Sequence, residues 1–150
     1  MKTKECINEL KIKLPSYSVN ESSTRTIVAS FCAALNPTVE ELADIRCAVS
    51  EAVTNCIVHG YRDTIGSITV DVRLYSDRSV KIDVRDKGCG IADVERAMEA
   101  LFTTDPDGER SGMGFTVMEN FMDTVSVKSV VGRGTRVTMR KKLSTLQPHK

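Results

Sequence analysis

From Thr38 to Gly60 the chain carries one helical pattern, and that pattern constrains what the rest can become. Thr38-Val39-Glu40-Glu41 is a capping box, in which the threonine hydroxyl and the glutamate three residues on satisfy each other's free backbone N–H groups. Leu42, Ile45, Val49, Ala52 and Cys56 then recur at spacings of three and four, a stripe that must be buried. Asp44, Ala48, Glu51, Asn55 and His59 form a second stripe beside it. Glu51 and Asn55 lie one turn apart, with Cβ atoms ~5–6 Å from each other. A solvated Glu and Asn on an exposed face is the alternative, but their place at the border of the apolar stripe favours a cleft. There, a carboxylate and an amide oxygen can hold a hydroxyl or water and a magnesium ion over one reacting phosphate. Gly60 closes the helix, where glycine can supply the left-handed backbone that helix ends prefer.

The flanking segments predict a sheet for this helix to lie on. Leu10, Ile12 and Leu14 alternate with lysines up to Pro15, as in a half-buried strand. Asn20 is placed to cap a second helix, with Ile27, Val28, Phe31 and Leu35 as its apolar face and Arg25 expected at its surface. Ile68, Val70, Val72 and Leu74 alternate, Ser76-Asp77-Arg78-Ser79 reverses the chain, and Val80, Ile82 and Val84 continue as a hairpin partner. The same parity puts Asp86 on the buried face. A carboxylate there is costly unless something donates to it, and the amino group of a nucleobase would serve.

Directly after Asp86 come Gly88 and Gly90 around one residue, which permits close approach of backbone to a ligand. As a dinucleotide fingerprint this Gly-x-Gly is incomplete, and by itself it also suits a plain turn. Asp93 caps a short helix through Val94, Ala97, Met98 and Leu101. A loop from Thr103 to Ser111 leads to Gly112-Met113-Gly114. A helix with Phe115, Met118, Phe121 and Met122 follows, and its glycine-bordered start is a natural phosphate seat beside Arg110. Val125 and Val127 start a fourth strand, and Thr135, Val137 and Met139 share one face of a fifth. This order predicts one domain over residues 1–142, with 143–150 as a frayed tail. The fold class is an α/β (α+β) two-layer sandwich, a mixed, largely antiparallel sheet with helices on one face.

Composition excludes several functions. A net charge of +1 over 150 residues gives no field for nucleic acid or an acidic membrane. No apolar run approaches the ~20 residues of a membrane span. Five cysteines without C-x-x-C pairing, and no signal-type segment, are expected of reduced thiols in the cytoplasm. There is no P-loop and no G-x-S-x-G. Val84-Arg85-Asp86 lacks the histidine and downstream asparagine of a protein-kinase catalytic loop.

What remains, in order, is Glu51…Asn55…His59-Gly60, then Asp86-x-Gly88-x-Gly90, then a loop, then Gly112-x-Gly114. Together these boxes resemble the ATP-binding (Bergerat-type) fold shared by gyrase, the ninety-kilodalton heat-shock chaperone, MutL-type repair proteins and histidine kinases. Three stretches are most similar to the anti-sigma factor serine kinases of endospore-forming bacteria. They are Ser50-Glu51-Ala52-Val53-Thr54-Asn55, Leu101-Phe102-Thr103-Thr104 and Glu109-Arg110-Ser111-Gly112-Met113-Gly114-Phe115.

The resemblance runs from about Leu10 to Lys142, and it implies a role for each matching position. Glu51 would be the general base and Asn55 the holder of magnesium. Asp86 would accept from the adenine amino group, with Gly88 and Gly90 lining the base pocket and Thr135 nearby. Thr104, Arg110, Ser111, Gly112, Met113 and Gly114 would contact the nucleotide, ATP or ADP, through the lid. Arg25 resembles a partner-contact position. The implied partners are a sporulation sigma factor of the sigma-F type, an anti-anti-sigma protein phosphorylated on serine, and a second copy in a homodimer. A kinase for a general-stress sigma factor, and a nucleotide-responsive binding module without phosphoryl transfer, are the alternatives. His59 is expected to be packed at the helix end, since the phosphoacceptor histidine of histidine kinases sits on a separate helical domain.

Overall fold

The structure, a computed structural model, describes residues 4–99 and 114–144. The strands are β1 (Cys6–Pro15), β2 (Ser67–Tyr75), β3 (Ser79–Asp86), β4 (Thr124–Val130) and β5 (Gly134–Lys142). The helices are α1 (Val19–Cys32), α2 (Val39–Asn55), α3 (Val94–Ala97) and α4 (Gly114–Phe121). A 3-10 turn (Ala33–Leu35) follows α1, and a π-helical turn (Cys56–Gly60) extends α2. The strands form one sheet in the order β1-β2-β3-β5-β4. The two-layer sandwich is therefore as expected, and every one of its pairings is antiparallel.

The capping box of α2 is present on both sides. Glu41 N–H donates to Thr38 Oγ1 at 3.0 Å, and Thr38 N–H donates to Glu41 Oε1 at 2.9 Å. The predicted stripe is buried through Ile45, Val49, Ala52 and Cys56, and Val53 joins it. Each large aliphatic side chain removed from water contributes about 1.5–3 kcal/mol. Those of α2 face Val28 of α1, Met118 of α4 and the inward rows Ile68-Val70-Val72-Leu74 and Val80-Ile82-Val84 of β2 and β3.

Three local expectations change. Helix α1 begins at Val19, so Asn20 lies inside its first turn and donates instead to Pro15 O at 2.8 Å. Its core face is Thr24, Val28 and Cys32, and Ile27 is exposed. Leu143 and Ser144, expected in the tail, belong to the folded unit. Leu143 is buried and donates to Arg78 O at 3.0 Å, and Ser144 N–H donates to Glu41 Oε2 at 2.8 Å. Residues 145–150 lie outside the described residues.

The outer face of the sheet is charged. Asp83, only 6% exposed, accepts from Arg136 Nε at 3.1 Å and from the Thr138 hydroxyl. Burial opposes its ionisation, but the hydrogen bonds from Arg136 and Thr138 outweigh it and hold the carboxyl below its ordinary value. This contribution to stability is complete above the ordinary aspartate value of 3.8 and is lost as pH falls through the depressed native value. Asp83→Ala is expected to cost about 1–3 kcal/mol at neutral pH. Urea unfolding should show that difference shrinking below the ordinary carboxylate range, and a pH-independent difference would contradict the assignment.

Candidate nucleotide site

The two halves of the predicted site come together where α2 ends. The π turn widens the last coil of the helix, with Tyr61 N–H donating to Cys56 O across it at 2.9 Å. Such turns recur at functional sites because they redirect one stretch of backbone without breaking the helix. Here the turn delivers Gly60 against the segment after β3. Cys89 N–H donates to Gly60 O at 3.0 Å, and the Cys89 thiol donates to His59 O at 3.1 Å.

The glycines explain themselves through contact. Gly60 has no left-handed backbone, contrary to the cap expected of it, because the chain continues through the π turn. A Cβ on Gly60 would lie 3.0 Å from the Asp86 carboxyl carbon, and one on Gly88 would lie 2.1 Å from Gly60 O. Gly90 does have a positive φ of 77°, and a Cβ there would meet Val130 O at 2.4 Å. In Gly88 and Gly90 the bare backbone is thus used first against the protein's own chain. A Cβ on Gly134 would lie 2.1 Å from Asp86 O, so a fourth glycine closes the other side of Asp86.

Asp86 is on the helix-facing side of the sheet, only 9% exposed, opposite Ile68 on β2 and Thr135 on β5. Its Oδ1 accepts from Gly88 N–H at 2.9 Å. Burial raises its pKa, and hydrogen bonds from Gly88 N–H, the Cys56 thiol and Thr135 N–H offset part of that rise. Burial, then the Asp86 charge, pushes the Cys56 thiol well above its ordinary value, so it remains a protonated donor. The Thr135 hydroxyl shares a hydrogen bond with Ser129 Oγ at 2.8 Å. A cavity of about 430 Å³, lined by Gly60–Gly66 and by Lys87–Cys89, borders the same junction.

Glu51 and Asn55 are half-buried on α2, and both converge on the first described residue of α4. A Cβ on Gly114 would stand 3.2 Å from Asn55 Oδ1 and 3.3 Å from Glu51 Oε2. Hard oxygen donors facing a bare glycine backbone suit a small divalent cation shared with phosphates, since magnesium takes only one or two protein ligands in such sites. Thr104, Arg110, Ser111, Gly112 and Met113 lie outside the described residues.

Arg25 is not the freely exposed side chain expected. It is half-buried, with Nη1 donating to Glu21 Oε1 at 3.2 Å, and the Ser50 hydroxyl, next to Glu51, donates to the same oxygen. Cys56 is in the core, as its place in the stripe predicts, but its hydrogen bond to Asp86 was not legible there, and sequence reasoning assigned Tyr61 no role. An aromatic hydroxyl directly after a glycine-closed helix was the available cue for Tyr61.

A fold and site of this kind define a nucleotide-binding ATPase domain, and the comparisons agree. Residues 15–141 match the family model of the histidine kinase-like ATPase domain. An anti-sigma F factor of Clostridium acetobutylicum is 49% identical over 140 residues, covering 93% of this chain and 97% of that one. One of Thermoanaerobacter pseudethanolicus is 53% identical over 137 residues, covering 91% and 95%. The solved RsbU and RsbW domains of Rv1364c from Mycobacterium tuberculosis match at 22% identity and a TM-score of 0.67. That match covers 91% of this chain and 32% of that one, a likeness of fold alone. The chain belongs to the histidine kinase-like ATPase family and, within it, to the anti-sigma F factors.

Because the native pKa of Asp86 is raised, folding favours its protonated form. That contribution is complete below the ordinary value of 3.8 and is lost as pH rises through the raised native value. Between the ordinary value and the raised native value, Asp86→Asn is expected to gain stability relative to the unmodified chain as pH rises, with no further change above it. Urea unfolding across that range measures the gain, and parallel pH profiles would contradict the buried carboxylate.

Proposed function

We propose that this chain binds magnesium with ATP or ADP between α2, the end of β3 and α4, and acts as a serine kinase and anti-sigma factor. It transfers the γ-phosphoryl group to a serine on an anti-anti-sigma protein and, separately, sequesters a sigma factor. The observation that carries this reading is the convergence of Glu51 and Asn55 on Gly114, with Asp86 buried one π turn and one glycine contact away. The name shared by the relatives supports a sigma factor of the sporulation sigma-F type over a general-stress one. The proposed working unit is a homodimer in the cytoplasm.

Each proposed role follows from the chemistry of the residue. Asn55 would hold the magnesium ion, whose charge, when bound, neutralises the phosphate oxygens. Phosphoryl transfer needs chiefly positioning and charge neutralisation from the protein. Glu51 orients the incoming serine hydroxyl. As the serine oxygen bonds to the γ-phosphorus and the bond to the β-bridging oxygen breaks, the hydroxyl proton passes to the Glu51 carboxylate and ADP leaves. A glutamate is a weak base, so this proton moves late.

Asp86 would select the base. A carboxylate offers about four lone-pair positions, so the donors around Asp86 leave capacity for an adenine amino group. Gly88, Gly90 and Thr135 would border the base, and Gly114 the phosphates. Thr104, Arg110, Ser111, Gly112 and Met113 would complete the nucleotide contacts. Arg25 would meet the protein partners, its guanidinium fixed in advance by Glu21.

Incubation with γ-labelled ATP and an anti-anti-sigma protein should place acid-stable label on a serine. Glu51→Gln is expected to lower that transfer ~10²–10⁴-fold while ATP affinity stays within about twofold. Normal transfer by the Gln variant would remove Glu51 as base. Nucleotide-dependent partner binding without any label would leave a binding module. Arg25→Ala is expected to weaken binding of the sigma factor and the anti-anti-sigma protein about tenfold or more with ATP affinity unchanged. Equal partner affinities by calorimetry would take Arg25 off the contact surface.

A further inference from the structure

Tyr61 sits immediately beyond the π turn and is 8% exposed. Its ring lies against Gly66, where a Cβ would come within 2.2 Å of the ring carbon Cε1. That packing aims the hydroxyl at two backbone groups from separate strands. It donates its hydrogen to Ser67 O, at the start of β2, at 2.7 Å. It accepts from Lys87 N–H, just past β3, at 2.5 Å. A phenol has one hydrogen to give, and here both its donor and its acceptor functions are used inside the protein.

The peptide that Tyr61 grips joins Asp86 to Lys87. Its carbonyl side is pressed on Gly134, and its N–H side is tied to the Tyr61 oxygen. With both ends fixed, the plane of that peptide cannot rotate. The Asp86 backbone, and hence the direction of its carboxylate toward Gly88 N–H, is fixed with it. Cys56, at the other end of the same π turn, donates its thiol hydrogen to the carboxylate.

We infer that Tyr61 is a positioning residue for nucleobase selection, its hydroxyl locking the Asp86–Lys87 peptide so that the carboxylate points at a purine 6-amino group. The inference rests on the reading of Asp86 as the adenine acceptor and deepens it. Tyr61 touches no nucleotide in this scheme. Its effect is confined to how well the site tells a 6-amino purine from one without that donor, and it leaves phosphate binding alone.

The test compares magnesium complexes of ATP and of purine riboside triphosphate, which lacks the 6-amino group, on the full chain and on Tyr61→Phe and Asp86→Asn. Affinities are read by calorimetry and folding by thermal melting. Tyr61→Phe keeps the ring on Gly66 and removes only the oxygen. It is expected to reduce the preference for ATP about threefold to tenfold, as one buried hydrogen bond would, with affinity for purine riboside triphosphate nearly unchanged. A loss of stability alone would weaken both ligands equally and would overturn the inference. Full discrimination in Tyr61→Phe alongside its loss in Asp86→Asn would leave the Asp86 reading standing and remove Tyr61 from it. No discrimination in the unmodified chain would bring down the Asp86 reading, and this inference with it.

A second measurement needs no variant. Amide hydrogen exchange of Lys87 in the unmodified chain is expected to be slow, and slower again with ATP bound. Exchange at the rate of a free loop amide would show that the tie to Tyr61 does not exist in solution.

Discussion

The site depends on a contact between two stretches of bare backbone, Gly60 at the end of α2 and Gly88 beyond β3. A side chain on Gly88 would push Gly60 away, and one on Gly60 would crowd the Asp86 carboxyl group. The hydrogen bond from Cys89 N–H to Gly60 O fastens the pair. A helix and the sheet it covers are normally held apart by the side chains packed between them. Removing those side chains at one point brings α2 down onto the strand end. It brings the end of the helix that carries Glu51 and Asn55 to the strand end that carries Asp86.

That contact also explains why the helix finishes in a π turn. An ordinary α-helical ending at Gly60 would carry the chain on along the helix axis. Bonding Tyr61 N–H back to Cys56 O widens the coil by one residue and swings Gly60 toward the sheet. The same residue of displacement brings the Tyr61 side chain between the ends of β2 and β3. One local irregularity thus serves the helix–strand contact and the anchoring of Asp86 together. Cys56 completes it, since its small thiol fits the core and still supplies a donor to a buried carboxylate.

Much of this was legible in the sequence, for physical reasons that can be named. The capping box, the stripe from Ile45 to Cys56 and the two-residue alternation of β2 and β3 are local patterns; the cap forms, and the stripe and strands bury the residues they predict. Asp86 stood out because strand parity put a charge among apolar positions. What failed was whatever depended on distant backbone. Gly60 read as a cap, because sequence alone does not tell a glycine needed for φ from one needed for proximity. Arg25 read as exposed because Glu21 and Ser50, its tether, approach it from one turn back and from another helix. Leu143 read as tail because its partner, Arg78, is a turn residue far away in the chain. Spacing alone paired Glu51 with Asn55 and marked the helix start at Gly114 as a phosphate seat, but their meeting needed three-dimensional closure.

In the proposed complex the two ends of the nucleotide site would solve opposite electrostatic problems. At the proposed base end, recognition would turn on a single hydrogen bond to a neutral amino group. A buried carboxylate suits it, because low dielectric strengthens that bond and penalises any base without the donor. The cost is a charge held away from water, and Cys56, Gly88 and Thr135 each offset part of it. At the phosphate end the ligand brings several negative charges, so a carboxylate on that side must not be left alone with them. Glu51 is half-buried rather than enclosed, and beside it stand a neutral amide and a bare glycine. Those neighbours add no negative charge of their own and leave room for a divalent cation between carboxylate and phosphate. Moving Asp86 to the open end or Glu51 to the closed end would lose selectivity at one and bury an unpaired charge at the other. The helix–strand contact at Gly60 and Gly88 keeps the two carboxylates apart and in their separate environments.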